Sequence, residues 1–209
     1  MSAREEILTR VRAAISDVDD ATRESDIDWD YGQAVPTGDL DTVERFAERV
    51  ADYRAVVERV GEHDLAQRIS AALADVDGPV LADPALRSLL GVEENWIDDE
   101  TLSPTQLDRV GAVVTTAAVG IANTGTIVLD HGAGQGRRAL SLVPDVHLCI
   151  VDAAQIVSDV PEAVARLIAD GAAARPQTWI SGPSATSDIE LDRVEGVHGP
   201  RTLHVVIVG

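Results

Sequence analysis

The chain has 209 residues, 45% of them hydrophobic, and a formal net charge of −19. That supports one sizeable core but lacks the clustered cations that a phosphate backbone or an anionic membrane surface needs, so nucleic acid and membrane surfaces are excluded as expected partners. All 17 cationic side chains are arginine, which removes Schiff-base and P-loop lysine chemistry, and the single cysteine, Cys149, cannot build a disulfide, a zinc cluster or an intrinsic iron–sulfur cluster.

The start, Met1-Ser2-Ala3-Arg4-Glu5-Glu6, is charged and lacks the apolar run of a signal peptide, and no stretch reaches the length of a membrane span. A cytoplasmic location is therefore expected. Apolar positions Ile7, Leu8, Val11, Ala14 and Ile15 recur at helical spacing, with Ser2 and Glu5 placed to form a capping box. Residues 17–40 then carry seven acids between Asp17 and Asp30, followed by Gly32, Pro36 and Gly38, and read as an acidic linker. Trp29 and Tyr31 in this arm either dock on a surface or are solvated with it. The expected division is an N-terminal helix and acidic linker at 1–40 and one main domain at 41–209.

Val43, Phe46, Ala47, Val50, Tyr53, Val57 and Val60 share a helical face, which predicts one helix over 41–60 ended by Gly61. A second helix is predicted over 62–74, a short buried strand over 79–82, and a helical turn opened by Pro84. From Val110 the pattern changes to short β-branched runs punctuated by Gly and Thr, which predicts an antiparallel or mixed section. Strands are predicted at 147–151 and 178–180, a helix at 161–169, and a strand covered on both faces at 203–208. Alternating helices and buried strands of this kind form an α/β fold.

Three clusters carry candidate chemistry. In Gly120-Ile121-Ala122-Asn123-Thr124-Gly125-Thr126 the hydroxyls of Thr124 and Thr126 and the backbone around Gly125 either hold an anion that Asn123 orients or form a tight turn between strands. Ser181-Gly182-Pro183-Ser184 follows a strand and precedes a segment read as helical, so Ser181, Gly182 and Ser184 are candidate ligand contacts at a helix N-terminus. Beyond it, Asp188 and Glu190 are candidate general bases, while Ser187 with Glu190 also fits a capping box. In Gly196-Val197-His198-Gly199-Pro200-Arg201, His198 is a candidate general acid, and Gly199 and Arg201 are candidate ligand contacts. The glycine run 132–136 lacks the dinucleotide spacing and reads as a mobile hairpin or lid, with Arg137 and Arg138 either facing solvent or meeting an anionic ligand. Cys149 reads as a buried, inert thiol. The five histidines show no metal-ligand spacing, so no metal is expected.

The motifs Ile121-Ala122-Asn123-Thr124-Gly125-Thr126, Ser181-Gly182-Pro183-Ser184-Ala185-Thr186-Ser187-Asp188-Ile189-Glu190 and Gly196-Val197-His198-Gly199-Pro200-Arg201 together resemble the lactate-utilisation LutC/YkgG family, or LUD domain. The resemblance implies a NagB/RpiA/CoA-transferase-like α/β sheet flanked by helices, here with an N-terminal helical arm. It implies a non-cluster component of a system oxidising lactate to pyruvate, with iron–sulfur lactate-utilisation proteins as partners, no intrinsic cofactor, and a homo-oligomer as a further option. The family carries an acid where Asn123 stands and a basic residue where Ala185 stands. The alternative is a stand-alone enzyme of this fold acting on a small phosphorylated or CoA-like ligand, with Asp188 or Glu190 as base and His198 as acid.

Overall fold

The computed structural model describes residues 2–17, 33–91, 95–98, 102–186, 194–196 and 198–209. The chain divides into two compact units, Met1–Tyr31 and Gly32–Gly209. In the first, α1 (Ala3–Ala14) starts with the predicted capping box: the Glu5 amide donates to the Ser2 hydroxyl, and the Ser2 amide donates to the Glu5 carboxylate at 2.7 Å. No residue of α1 is buried. Trp29 and Tyr31 lie outside the described residues.

The second unit runs α2 (Thr42–Asp52), β1 (Val56–Val60), α3 (Leu65–Leu73), β2 (Val80–Ala82), α4 (Pro84–Leu90), β3 (Trp96–Ile97), α5 (Pro104–Leu107) and β4 (Ala112–Thr116). It continues with β5 (Val119–Ile121), β6 (Thr126–Leu129), β7 (Val146–Asp152), β8 (Ile156–Val157), α6 (Val160–Ala169) and β9 (Thr178–Ile180). A small antiparallel pair, β10 (Ala185–Thr186) and β11 (Val194–Glu195), precedes β12 (Thr202–Val208). Six strands form a wholly parallel sheet in the order β1-β12-β7-β4-β2-β3. A second sheet, β8-β5-β6-β9, combines an antiparallel β5–β6 hairpin, an antiparallel β6–β9 pair and a parallel β5–β8 pair. The α/β architecture with a parallel central sheet flanked by helices is thus as expected, and so is the mixed section after Val110.

The central strands are apolar throughout because both faces are covered. In β7 and β12, Cys149, Val151, Leu203, Val205 and Ile207 pack with Phe46 and Val50 of α2 and with Ile127 and Leu129 of β6. Leu148, Ile150, Val206 and Val208 point the other way, against Ile69 and Leu73 of α3 and Leu86 and Leu90 of α4. Alternation along each strand therefore splits one apolar run between two cores.

The expected single helix over 41–60 is instead a helix and then a strand. Tyr53 caps α2, Arg54 takes φ 68°, and Val56–Val60 pair in parallel with His204–Val208. Val57 and Val60 continue the helical spacing of α2, yet three β-branched residues in five favour the extended sheet edge. Gly61 accordingly opens a 3-10 turn at Glu62–Asp64 and does not end a helix.

Phe46 has no exposed surface, and its ring lies 3.2 Å from where a Cβ on Gly120 would sit. It ties α2 to the second sheet. Phe46→Ala is expected to cost about 3–5 kcal/mol, read as a lowered urea midpoint at unchanged slope; a midpoint within error of the wild type would show that the helix is not held by this residue.

Candidate functional site

The Ser181–Ser184 turn leaves β9 at a position only glycine accommodates. Gly182 has φ 82°, and a Cβ there would meet the Tyr53 Cβ at 2.4 Å. The turn is sewn to the segment entering β12. The Ser184 amide donates to the Pro200 carbonyl at 2.8 Å, the Gly196 amide donates to the Ser184 carbonyl at 3.1 Å, and the His198 amide donates to the Ser184 hydroxyl at 2.9 Å. Ser184 leads into the short strand β10, paired with β11, and not into the helix expected from the sequence. Backbone bonds to the Gly196–Pro200 segment hold the chain extended there.

The first cluster reaches the same place through hydroxyls. The oxygens of Thr124 and Thr126 lie 2.8 Å apart, and that of Thr126 lies 2.8 Å from the Ser181 hydroxyl. Gly125 makes this turn possible, with φ 59° and a missing Cβ that would fall 2.7 Å from the Arg49 backbone. Asn123 is used differently: its side-chain NH2 donates to the Pro36 carbonyl at 3.3 Å and to the Asp159 carboxylate at 3.2 Å. It thereby joins the chain entering α2 to the N-cap of α6. Arg201 ion-pairs with Asp145 at 2.5 Å, with both side chains more than half exposed. The structure thus brings together Thr124, Thr126, Ser181, Gly182, Ser184, His198 and Gly199, and engages Asn123 and Arg201 elsewhere. Ser187, Asp188 and Glu190 lie outside the described residues.

Ser181, Ser184, His198 and Gly199 line a pocket of about 270 Å3 at the end of the sheet where β7 and β12 begin. Arg138, Trp179 and His147 join them there. Among the described residues lining it none is acidic, and Arg138 and His198 are its two cationic or protonatable rim groups. Arg138, read from the sequence as facing solvent or meeting an anionic ligand, is exposed at this mouth; its neighbour Arg137 donates to the Leu102 carbonyl at 2.9 Å. Only the fold, which carries the stretch after β6 back across the start of β12, places Arg138 beside His198. In sequence the two are sixty positions apart.

The glycine run expected to form a lid is instead pinned. The carboxamide oxygen of Gln135 accepts from the amides of Asp130 and His131 at 2.7 and 3.0 Å. His131, held at φ 55°, spans the Gly136 carbonyl at 3.0 Å and the Thr178 hydroxyl at 2.9 Å. A carbonyl only accepts, so Nδ1 carries a proton. Asp130, 6% exposed, is held below the usual carboxylate range: burial alone would raise it, but the Arg175 guanidinium and the Gly132 amide together outweigh that penalty.

Two buried groups lie behind the pocket. Burial pushes the Cys149 thiol up to about 12, despite a hydroxyl donated by Thr115, so it is protonated and unreactive at neutral pH, as expected. Burial pulls His147 down from 6.5 to about 4, with its Nε2 2.8 Å from the Thr115 hydroxyl. Among the described residues no group of three His, Cys, Asp or Glu side chains could hold a metal ion, and no helix is long and apolar enough to cross a membrane.

The model of the LUD domain family matches residues 32–208. The chain is 44% identical over 187 residues to "Lactate utilization protein C" of Deinococcus radiodurans, covering 86% of this chain and 85% of that protein. It is 35% identical over 113 residues to "Uncharacterized protein YkgG" of Escherichia coli K12, covering 52% of this chain and 48% of that one. A crystal structure of a DUF162 family protein from Deinococcus radiodurans superposes with a TM-score of 0.70 at 38% identity, covering 84% of this chain and 99% of that chain.

The His147 shift has a defined sign. A histidine whose folded pKa is depressed binds its proton more readily when unfolded, so its stability contribution is complete above pH 6.5 and is lost as pH falls from 6.5 to about 4. Wild type is expected to lose roughly 3 kcal/mol more across that window than His147→Gln, measured by chemical denaturation at each pH; parallel pH profiles would show that His147 is not buried in its neutral form.

Proposed function

The chain belongs to the LUD domain family, and from that membership we propose that it is a lactate-utilisation protein: a component without a cluster of its own in a system that oxidises lactate to pyruvate. The observation that carries this reading is the 44% identity to Lactate utilization protein C over 86% of the chain. One thiol cannot carry an iron–sulfur cluster, so electrons from lactate pass through partners, which we take to be iron–sulfur proteins of the same system, working in the cytoplasm.

The pocket at the start of β7 and β12 supports the same reading by its chemistry. Its volume of about 270 Å3 suits a small organic acid rather than a nucleotide. Arg138 supplies positive charge where the chain as a whole is strongly acidic, and His198 lies beside it at the rim. The hydroxyls of Ser181 and Ser184 supply donors for a carboxylate and for the oxygen on the neighbouring carbon of a 2-hydroxy or 2-oxo acid. Thr126, behind Ser181, orients that hydroxyl. The site's role is to bind and orient the acid.

Cells deprived of this chain are expected to fail to grow on lactate while growing normally on pyruvate. Wild-type chain restores growth; Arg138→Glu, which reverses charge at an exposed position, restores it poorly or not at all. Equal growth of the deprived strain on both acids would overturn the proposal. Pull-downs from lactate-grown cells are expected to bring brown partner proteins and lactate-dependent dye reduction that requires this chain.

A further inference from the structure

The opposite end of the central sheet holds a larger feature that the three motif clusters do not touch. Where β4, β7 and β12 finish, a cleft of about 880 Å3 opens between α3, α4 and the segment after α6. It sits beside the point where sheet order reverses: β4 is flanked by β7 on one side and β2 on the other, and successive strands run away from it in both directions. In open α/β sheets that crevice is where ligands bind, and the volume is that of an organic ligand of cofactor size.

Its floor is apolar, built from Leu65, Leu90, Ala117, Ile150, Leu167 and Val208. On one wall Asp130, Gln135 and Arg175 meet, Asp130 bonding to both of the others. Asp130 is buried and takes one guanidinium nitrogen of Arg175, fixing the plane of that side chain while its remaining N–H groups stay available. Gln135 is also buried, and two backbone amides occupy its carboxamide oxygen, so its NH2 is what it offers. The wall is therefore a set of donors already held in place by acceptors behind them.

Charge narrows the occupant. The lining carries Glu62, Asp130, Asp152 and Asp170 against only Arg166 and Arg175. Arg175 is neutralised by Asp130, and Arg166 donates to the Ala154 carbonyl at 2.9 Å and lies 3.9 Å from Asp170. A phosphate or a second carboxylate would enter an uncompensated negative field. We propose that this cleft binds an uncharged ring compound whose carbonyl oxygens accept hydrogen bonds from Arg175 and Gln135, the chemistry shared by quinones and by the isoalloxazine ring of flavins. The ring lies on the aliphatic floor, and the carbonyl edge meets the donor wall. This inference does not depend on the lactate reading, since it rests on a separate cavity at the other end of the sheet.

The test is calorimetric titration of the full chain with duroquinone, riboflavin and riboflavin phosphate. Saturable binding of duroquinone or of riboflavin is expected, and which of the two binds tells the quinone source from the flavin source. Ala133→Trp places a bulky ring at the exposed mouth without entering a core and is expected to weaken binding about tenfold or more. Arg175→Lys keeps the pair with Asp130 but loses the planar fork, and is expected to weaken it several-fold with an unchanged melting temperature. No saturable binding of either neutral probe, binding indifferent to both substitutions, or tighter binding of riboflavin phosphate than of riboflavin would overturn the proposal.

Discussion

Everything in the second unit hangs on β7 and β12 being buried on both faces. They lie side by side near the middle of the six-stranded sheet, paired over seven residues from Thr202↔Val146 to Val208↔Asp152. One set of their side chains supports α2 and the second sheet, and the other supports α3 and α4. Two polar residues of this pair find partners within the sheet: His147 stays neutral beside the Thr115 hydroxyl, and Cys149 stays protonated and accepts from the same residue. The strands also define both cavities, one at their beginnings and one at their ends.

The two ends differ in charge as well as size. Where the strands begin, a small pocket has arginine and histidine at its rim and no acid among its described lining residues. Where they end, a cleft about three times larger carries acids that outnumber its arginines. In a chain with a net charge of −19, the second is the default and the first is the exception, created by folding Arg138 across to the loop that carries His198. The two ends of one sheet thereby present cavities of different size and charge.

How much of this is legible in the sequence depends on whether a signal is local. The capping box of α1, the proline-led starts of α4 and α6, and the doubly buried strand at β12 are written in neighbouring residues, and each can be read there. The convergence of Thr124, Thr126, Ser181, Ser184 and His198 can be expected only because small hydroxylated residues recur beside strands and because the motifs resemble a family. The departures share one cause. Val57 and Val60 fit a helical stripe and a strand equally well, and only β12, far along the chain, decides for the strand. Residues 132–136 have the composition of a mobile loop, yet Gln135 and His131 bond it internally and to Thr178. The cleft at the far end leaves no motif, because its floor is ordinary core aliphatics and its donor wall is assembled from residues 130, 135 and 175.

The pairing of β1 with β12 also sets a schedule. Val56 and His204 lie opposite each other although they are 148 positions apart, so β1 leaves the ribosome long before its partner exists. During that interval three valines in five residues face no strand, and α2 has no sheet to lie on. Local helices can form early, but the β1 side of the sheet is assembled last, from its most distant parts. A topology dominated by such long-range parallel pairing folds slowly for its size, and the half-made protein presents an unpaired apolar edge to its neighbours. The same bond pattern that makes the finished sheet hard to open leaves the nascent chain exposed to misassociation, which gives a surface rich in like charge a protective purpose before the fold exists.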